Sequence, residues 1–527
     1  MKKIGILFII LIPIFSASGQ QKISTRPNIV VFLVDDMGWM DTSVPFYDSI
    51  MPLNRRYHTP NMERLAREGV KFTNAYAQPV CTPTRVSFLT GMNSSRTHVT
   101  NWTSPSKNTD SDEQDDQFER LTWNLNGLSN QPDITGTVFA TTFPQLLRNT
   151  GYYTIHAGKA HWGSMGTPGA NPINLGFIIN IAGHAAGHPQ SYLSETNYGN
   201  IPGKSQPQAV PDLEEYYNTG TFLTEALTRE AIKALEIPIA RKEPFYLNMA
   251  HYAVHTPIMA DPRFVQRYYS MGLDSIEARY ASLIEGMDKS LGDLMDYLKN
   301  KNVDKNTIVI FMSDNGGLDH HQRGGAINTH NYPLRSGKGS VYEGGIREPM
   351  LVKWAGIAKA NSINKNPVII EDLFPTILEM AGIKQPKLIQ QTDGKSLVAT
   401  LKNPQQTVTE RPLIFHYPNK WIDLNKNDGD PGINYFSAIR LGKWKLLYNM
   451  RNRKFGLFDL SKDISEKEDL SAQYPDIVSK LANQLGKTLK ARNAQMPVEK
   501  QSGMSVPFPD EILKNDRIVK ESRQRNS

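Results

Sequence analysis

Two stretches of the chain are apolar without interruption, and they constrain the fold more than any other feature. Residues 28–34 read NIVVFLV and residues 307–312 read TIVIFM. Successive side chains of a strand point to opposite faces, so a strand with no polar alternation must be buried on both faces. Helical patterns lie between these strands, the clearest over residues 276–298. The sequence therefore predicts an α/β fold, a large and mostly parallel sheet with helices on both faces.

The pattern of predicted strands and helices changes after residue 383. Short strand patterns at 412–416, 436–441, 443–448 and 455–460 precede a helical pattern at 474–490. We expect a catalytic domain over residues 24–383 and a smaller α+β subdomain with a short antiparallel sheet over residues 384–495. A polar insertion at about 93–137 contains Trp102 and Trp123, and it is either a substrate-facing loop or surface decoration. The polar tail at 496–527 is expected to be poorly ordered.

The first 19 residues have the pattern of an export signal. Lys2 and Lys3 precede an apolar run at 4–15, and small residues follow at 16–19. The run is short for a bilayer span, which makes a retained anchor the weaker interpretation, and no cysteine lies nearby for lipid attachment. We expect an exported protein, periplasmic or secreted, with no stable membrane insertion.

The charge of the chain argues against one class of partner. Loss of Lys2 and Lys3 lowers the formal net charge from +7 to +5. No dense basic stripe of the kind that nucleic-acid binders carry is present, so no nucleic-acid partner is expected. The sequence leaves the oligomeric state open.

Polar residues follow both buried strands. Asp35 and Asp36 follow the first, and Asp314 and Asn315 follow the second. In parallel sheets, ligands bind beyond the carboxyl ends of the strands. Three carboxylates and an amide suit a hard cation better than zinc. The sequence predicts a site for one Ca²⁺ ion, with Mg²⁺ as the alternative.

The only cysteine, Cys81, lies in the segment CTPTR at 81–85, and LTG follows at 89–91. The segment resembles the signature of the formylglycine-dependent (type I) sulfatases, a family of the alkaline phosphatase superfamily. In that signature a proline lies two positions after the cysteine and an arginine four positions after it, and both are present here. Thr84 departs from the serine that is more common before the arginine.

Other segments resemble the same family in the expected order, and the resemblance runs from about residue 26 to about 470. Residues 158–163 (GKAHWG) are similar to the second signature of the family. His255 in AVHTP and Lys338 in GKGS match further family residues, as do stretches 438–447 and 457–460. The resemblance implies a bacterial carbohydrate sulfatase.

The resemblance also implies the chemistry. Cys81 would be converted to formylglycine by a maturation enzyme, and the hydrated aldehyde would attack sulfur and carry the sulfate covalently. The same residue would join the metal site, whose other ligands would be Asp35, Asp36, Asp314 and Asn315.

The family match further implies roles for five residues around the nucleophile. Arg85 would polarise the attacking hydroxyl, while Lys159 and Lys338 would bind the sulfate oxygens. His255 would protonate the leaving alcohol, and His161 would take the proton whose loss expels the sulfate and restores the aldehyde.

The substrate is expected to be a sulfated oligosaccharide, a fragment of a galactan-type or other polysaccharide. The enzyme would remove a sulfate from the sugar at the end of that chain. Several side chains could contact the sugar, although each could equally be structural. They are His184, His188, His251, His320, His321, Arg323, His416 and Tyr417.

Two other functions stay open. A phosphate mono- or diester hydrolase of the same superfamily could share the nucleophile, although a two-zinc phosphatase would have more histidines near the strand ends. An inactive relative that only binds sulfated glycans is the second alternative, but such a protein would not need Cys81.

Overall fold

The computed structural model describes residues 26–204, 206–318, 323, 330–422 and 432–513. The predicted signal at 1–19 lies outside the described residues, as do His320 and His321. Within the described parts of the chain, no helix is both long and apolar enough to cross a membrane.

The described residues form a nine-stranded sheet, as the uninterrupted apolar strands predicted. Its order is β10-β2-β9-β8-β1-β7-β5-β6, with β11 also paired to β2. All pairs are parallel except those of β9 with β2 and β8. The strands are β1 Asn28–Val34, β2 Val70–Tyr76, β5 Tyr153–Gly158, β6 Ile179–Ile181, β7 Phe245–Ala250, β8 Thr307–Ser313, β9 Arg347–Lys353, β10 Ser362–Asn364 and β11 Val368–Ile369. A separate pair, β3 Gly127–Ser129 and β4 Thr137–Phe139, is parallel.

Helices cover both faces of the large sheet. Ile29, Val31 and Leu33 of β1 belong to one core cluster, whereas Val30 and Phe32 belong to another. The α-helices that the structure describes are α1 Pro52–Arg56, α2 Pro60–Glu68, α3 Cys81–Thr90, α4 Ser94–Thr97, α5 Phe143–Asn149, α6 Leu223–Arg241, α7 Val265–Ser270, α8 Ser275–Asn300, α9 Glu343–Ile346, α10 Leu373–Met380, α11 Val398–Lys402 and α12 Pro475–Ala491. Short 3-10 helices lie at Pro168–Ala170, Pro172–Leu175, Ser194–Gly199, Glu214–Tyr216, Asp304–Asn306 and Ile370–Asp372.

The C-terminal part forms the predicted small antiparallel sheet. Its strands in order are β12 Leu413–Tyr417, β13 Phe436–Leu441, β14 Trp444–Asn449 and β15 Lys454–Asp459. Helix α12 packs on this sheet through an apolar stripe that includes Val478, Leu481 and Leu485. This arrangement buries one face of the sheet and one side of the helix.

The prediction of a poorly ordered tail is wrong for residues 496–513. Met496 and Val506 are buried in the C-terminal core cluster. Glu499 also forms a β-bridge with Phe118 of the polar insertion. Phe508, Ile512 and Leu513 pack against the same cluster. These apolar residues are spaced irregularly in a polar stretch, so the sequence pattern did not predict their burial. Residues 514–527 lie outside the described residues.

The polar insertion is packed against the rest of the protein. Trp123 is buried in the core, and its Nε1 donates to Asp110 at 3.0 Å. Trp123 is therefore a structural residue, whereas Trp102 lies at the cavity described below.

Candidate active site

The acidic residues after β1 and β8 meet at one edge of the sheet, because these strands are parallel neighbours in register. The backbone N–H of Asp36 donates to Oδ1 of Asp314 at 3.2 Å. The Nδ2 of Asn315 donates to Oδ1 of Asp36 at 2.7 Å. Asp36 has a φ of 58°, a left-handed conformation that breaks the strand at this point. Four polar side chains thus converge where the sequence predicted a cation.

The chemistry of this cluster fits a metal ion. Oδ2 of Asp36 and Oδ1 of Asn315 are buried with no hydrogen-bond partner among the described residues. One ligand atom from each of Asp35, Asp36 and His255 lies within 4.8 Å of the others. Buried oxygens without partners are costly, and a cation held between them removes that cost. The oxygen-rich donor set suits Ca²⁺ or Mg²⁺.

The two adjacent aspartates differ in electrostatic environment. Burial raises the pKa of Asp35 well above its ordinary value despite the opposing charge of Lys159. Burial also acts to raise the pKa of Asp36, but Lys338 and His255 outweigh it and hold that pKa below the ordinary value. Asp36 is therefore the more firmly ionised member of the pair.

Cys81 is the first residue of α3, a helix whose ten residues are all buried. Arg85 lies one turn later and is fully buried. Its Nε donates to Oδ2 of Asp314 at 2.8 Å, and its Nη1 donates to the carbonyl of Lys159 at 2.9 Å. Burial raises the pKa of the Cys81 thiol, although Lys159 and Lys338 oppose this. Helix α3 therefore places the cysteine beside the acidic cluster and fixes its arginine against Asp314.

Two lysines reach the acidic cluster from different loops. Lys159 follows β5, and its Nζ lies 2.7 Å from Oδ2 of Asp35. Gly158 before it has a φ of 96°, and a Cβ there would lie 2.0 Å from the carbonyl oxygen of Ala250. Only glycine permits this turn. The Nζ of Lys338 lies 2.6 Å from Oδ1 of Asp36.

Two histidines complete the cluster as neutral imidazoles. Burial lowers the pKa of both His161 and His255 well below the ordinary value. His161 Nε2 lies 2.9 Å from the carbonyl oxygen of Thr103, so this nitrogen carries the proton and Nδ1, 3.4 Å from Oγ1 of Thr82, is the acceptor. In the same way, His255 Nδ1 donates to the carbonyl of Thr256 at 2.9 Å. His255 Nε2 then lies 3.4 Å from Oδ2 of Asp36.

A cavity of about 600 Å³ opens above this cluster. Of the residues that sequence analysis selected, Cys81, His161, His255, Lys338 and His188 line it. Arg85 and Lys159 lie behind it, fully buried. The described lining residues that sequence analysis did not select for substrate contact are Trp102, Ser104, Pro105, Gly187, Gln208, Thr256, Leu318, Trp421 and Ile422.

His188 is the predicted substrate residue that the structure places at the cavity. Its ring stacks on that of His255, with centroids 5.6 Å apart and planes inclined by 8°. His184 lies beside it in sequence but not at the cavity, and its backbone carbonyl accepts from the N–H of His161. The sequence spacing of the two histidines did not predict which of them lines the cavity.

Four predicted sugar contacts are corrected, because their side chains have partners elsewhere. His251 is buried, with Nε2 2.7 Å from Ser290 Oγ. His416 is bonded to Ser437 Oγ and to a backbone carbonyl, and the Tyr417 hydroxyl donates to Asn101. Arg323 is buried in an ion pair with Glu277. Residue type alone does not show whether a side chain points to solvent or to the core.

Comparison with known proteins relates both parts of the chain to one enzyme class. Residues 27–383 match the family model described as Sulfatase. Residues 336–493 match the model described as N-sulphoglucosamine sulphohydrolase, C-terminal.

Relatives with similar sequences span most of the chain. A sulfatase from Formosa agariphila is 27% identical over 99% of both chains. The N-acetylgalactosamine-6-sulfatase of Mus musculus is 30% identical over 75% of this chain and 69% of that protein. Among solved structures, Ps i-CgsB superposes with a TM-score of 0.66 at 27% identity, covering 89% of this chain and 94% of that one. Ps i-CgsB is also known in complex with k-i-k-neocarrahexaose.

Proposed function

The chain belongs to the sulfatase family and is a sulfuric ester hydrolase, and from this premise we propose that it removes sulfate from a sulfated oligosaccharide. The observation that carries the proposal is the convergence of six side chains beside one cavity. They are Cys81, Arg85, Lys159, His161, His255 and Lys338. Each is the residue type that transfer of a sulfate group needs at that place.

Maturation of Cys81 and binding of Ca²⁺ belong to the same proposal. When present, the aldehyde hydrate at position 81 supplies the hydroxyl that attacks sulfur, and the cation withdraws electrons from it and from the sulfate. Asp35, Asp36, Asp314 and Asn315 would hold the cation. The unpartnered buried oxygens of Asp36 and Asn315 support this assignment.

The cationic side chains account for recognition of the sulfate. Lys338 reaches the cavity, so its ammonium is placed to bind a sulfate oxygen directly. Lys159 is fully buried on Asp35 and adds positive charge from behind. Arg85, which is held in place by Asp314, would polarise the attacking hydroxyl at position 81. Charge that develops on the sulfate oxygens is stabilised by groups already in position before reaction.

His255 is suited to protonate the leaving oxygen. Burial lowers its pKa, and the neighbouring Lys338 and Lys159 lower it further. A sulfate bound beside these lysines offsets their charge and raises the pKa of the imidazole. Nδ1 already donates to the Thr256 carbonyl, so the transferable proton is that on Nε2. Binding of the sulfate therefore favours the protonated form that acts as the acid.

His161 is suited to the opposite task. Its Nε2–H is fixed on the Thr103 carbonyl, which leaves Nδ1 free to accept a proton. Its lowered pKa keeps the imidazole neutral, the form in which it acts as a base. We propose that Nδ1 accepts the proton of the second hydroxyl at position 81, and that loss of this proton releases the sulfate.

The cavity wall supports a sugar as the rest of the substrate. Trp102 and Trp421 both line it, and aromatic faces pack well against the C–H surface of a sugar ring. A structural relative that is 26% identical, Ps i-CgsB, is known in complex with k-i-k-neocarrahexaose, and another relative is an N-acetylgalactosamine-6-sulfatase. We propose a galactan-type sugar at a chain end as the sulfated unit. Residues 1–19 support export to the periplasm.

The test is sulfate release from a panel of defined sulfated saccharides, with phosphate esters in parallel. The protein is co-expressed with a formylglycine-generating enzyme, and Cys81→Ala is the blank. Release from one saccharide that is absent in the blank supports the proposal and names the sugar. Turnover of phosphate esters alone would overturn it. Binding of sulfated saccharides without turnover, in protein that carries the aldehyde by mass spectrometry, would favour a binding function.

A further inference from the structure

A second cleft lies between the edge of the large sheet and the small antiparallel sheet. Its volume is about 480 Å³, and it shares no lining residue with the catalytic cavity among the described residues. Its lining includes two carboxylates, Asp48 and Glu410, and a larger set of cations. The cations are Arg347, Lys365, Arg411, Arg440, Lys443 and Lys462. The cleft therefore carries a surplus of positive charge.

Arg440 on β13 is the most unusual member of this set. Its side chain is only 6% exposed, yet neither Nε nor Nη1 has a hydrogen-bond partner among the described residues. The guanidinium lies 5.0 Å from the centroid of the Tyr76 ring. A guanidinium keeps its charge in proteins, and a buried charge without a hydrogen-bonding partner is costly. This side chain lines the cleft, so an anion there would offset its charge.

The buried groups beneath the cleft do not cancel this charge. Lys445 pairs with Glu343 at 3.0 Å and with Glu466 at 2.8 Å. Arg347 pairs with Glu343 at 3.2 Å. With Arg440 included, three cations face two carboxylates. Burial raises the pKa of Glu466 to about 7, which reduces its negative charge near neutral pH. The surplus is thus fixed in the structure below the cleft.

Three other cations that line the cleft are each paired with a carboxylate. Lys443 lies on Asp459 at 2.6 Å, and Lys365 lies 3.3 Å from Asp48. Arg411 is paired with Asp372. Arg440 at the floor differs from these three, because no carboxylate bonds it among the described residues. Arg440 at the floor and Lys462 in the lining are thus the two lining cations for which no ion pair is found among the described residues.

We propose that this cleft binds an anionic group, a sulfate ester, of the same glycan chain whose terminal sugar enters the catalytic cavity. The proposal rests on the proposed function only for the identity of the chain. The cleft would hold a sulfated unit remote from the reacting one, with Arg440 bonded to the sulfate and Lys462 at the rim. Such a site raises the local concentration of the substrate without touching the reacting atoms.

The test measures binding apart from turnover. A sulfated carrageenan hexasaccharide is titrated by calorimetry into the full-length Cys81→Ala protein, which cannot consume it. We expect Arg440→Gln and Lys462→Ala, each added to that background, to weaken binding five- to tenfold. Lys305→Ala, which removes an equal charge from the exposed turn at the amino end of β8, is the matched control and should change binding less than twofold. Thermal unfolding of each variant checks that Arg440→Gln is folded.

Two further arms separate the sources of the anion and the two proposals. If inorganic sulfate binds the cleft as tightly as the hexasaccharide does, a glycan site is overturned in favour of a site for the free anion. If both cleft variants bind the hexasaccharide as the parent does, the cleft proposal is wrong, whatever the enzyme hydrolyses. If binding depends on Arg440 but no saccharide loses sulfate in the matured enzyme, the proposed function fails and the cleft stands. With a small monosulfated sugar, Arg440→Gln in the Cys81 enzyme should keep kcat/KM within twofold.

Discussion

The catalytic centre and the second cleft both concentrate cations, but they differ in how those cations are matched. At the centre, every buried cation has its own carboxylate at hydrogen-bonding distance. The pairs are Lys159 with Asp35, Arg85 with Asp314 and Lys338 with Asp36. In the cleft, the guanidinium of Arg440 has no carboxylate partner among the described residues. Its Nε and Nη1 also lack hydrogen-bond partners there, as Nη2 of Arg85 does at the centre.

The difference separates two kinds of anion site. The matched centre is held in place by its own ion pairs, so its groups keep their positions whether or not substrate is bound. The cleft has a surplus charge that only a ligand or water can satisfy. Groups that are fixed before substrate binds favour catalysis, whereas unpaired positive charge favours binding of an anion.

The largest expected effect concerns the centre. Cys81→Ala leaves all three ion pairs intact but removes the only precursor of the nucleophile. We expect sulfate release to fall by roughly a thousandfold or more, measured with the saccharide that the panel identifies. Thermal unfolding with a chelator present should stay at the parent level. Substantial activity in this variant would mean that the matched charges alone can carry the reaction.

The pairing itself is tested by Asp314→Asn. This change leaves the buried guanidinium of Arg85 without its charged partner, at a site of about 1% side-chain exposure. We expect a loss of about 3–5 kcal/mol in the free energy of unfolding, measured by urea denaturation with a chelator present so that metal binding does not contribute.

The matched control for that loss is Asp296→Asn. Asp296 pairs with Arg64 at the surface and is 62% exposed, so we expect a loss of about 0–1 kcal/mol. Equal losses in the two variants would show that burial does not distinguish the pairs.

The wall of the catalytic cavity should contribute less than its centre. Trp421→Ala removes an aromatic face beside Lys338, whose Nζ lies 5.8 Å from the ring centroid. We expect KM for the oligosaccharide to rise about tenfold while kcat changes little, because the contact that we propose for the ring is with the sugar and not with the sulfur. Trp444→Ala, which packs against Tyr474 in the C-terminal subdomain, is the control. A fall in kcat with unchanged KM would contradict a binding role.

The smallest expected effect is a pH dependence confined to the cleft. Burial raises the pKa of Glu466 to about 7, with Glu343 adding to the shift and Lys445 opposing it. As pH falls from 8 to 6, this carboxylate gains a proton, so the positive surplus grows. Affinity of Cys81→Ala protein for the hexasaccharide should rise about two- to threefold. Glu466→Gln should remove that dependence, and an unchanged slope would exclude Glu466 as its cause.

The fold was predictable where burial leaves a simple pattern. Strands β1 and β8 are uninterrupted apolar runs, and both form the centre of the sheet. Strand β9 begins with Arg347, Glu348 and Pro349 and was not predicted. Glu348 is fully buried, and its oxygens have no hydrogen-bond partner among the described residues. An ionisable residue inside a buried strand interrupts the apolar pattern, so a prediction based on hydrophobicity misses that strand.

The same limit applies to the site. Residues that directly follow strands, such as Asp35 and Asp314, were predicted because topology brings strand ends together. Trp102, Gln208 and Trp421 lie in loops far apart in sequence, and only tertiary packing assembles them at one cavity. His251 was misassigned because its side chain turns back toward Ser290 rather than outward.

The contacts of the polar insertion have a consequence for the order of folding. Asp112 accepts from Asn419, Asp115 pairs with Arg451, and Phe118 bridges to Glu499. These partners leave the ribosome roughly three hundred residues after the insertion does. Since loop closure over such separations is slow, the wall that carries Trp102 cannot acquire its support until the chain is nearly complete. Strands β12 to β15 also contribute to the core cluster on one face of the large sheet. Truncation within these last strands should therefore abolish substrate recognition and also expose part of that core.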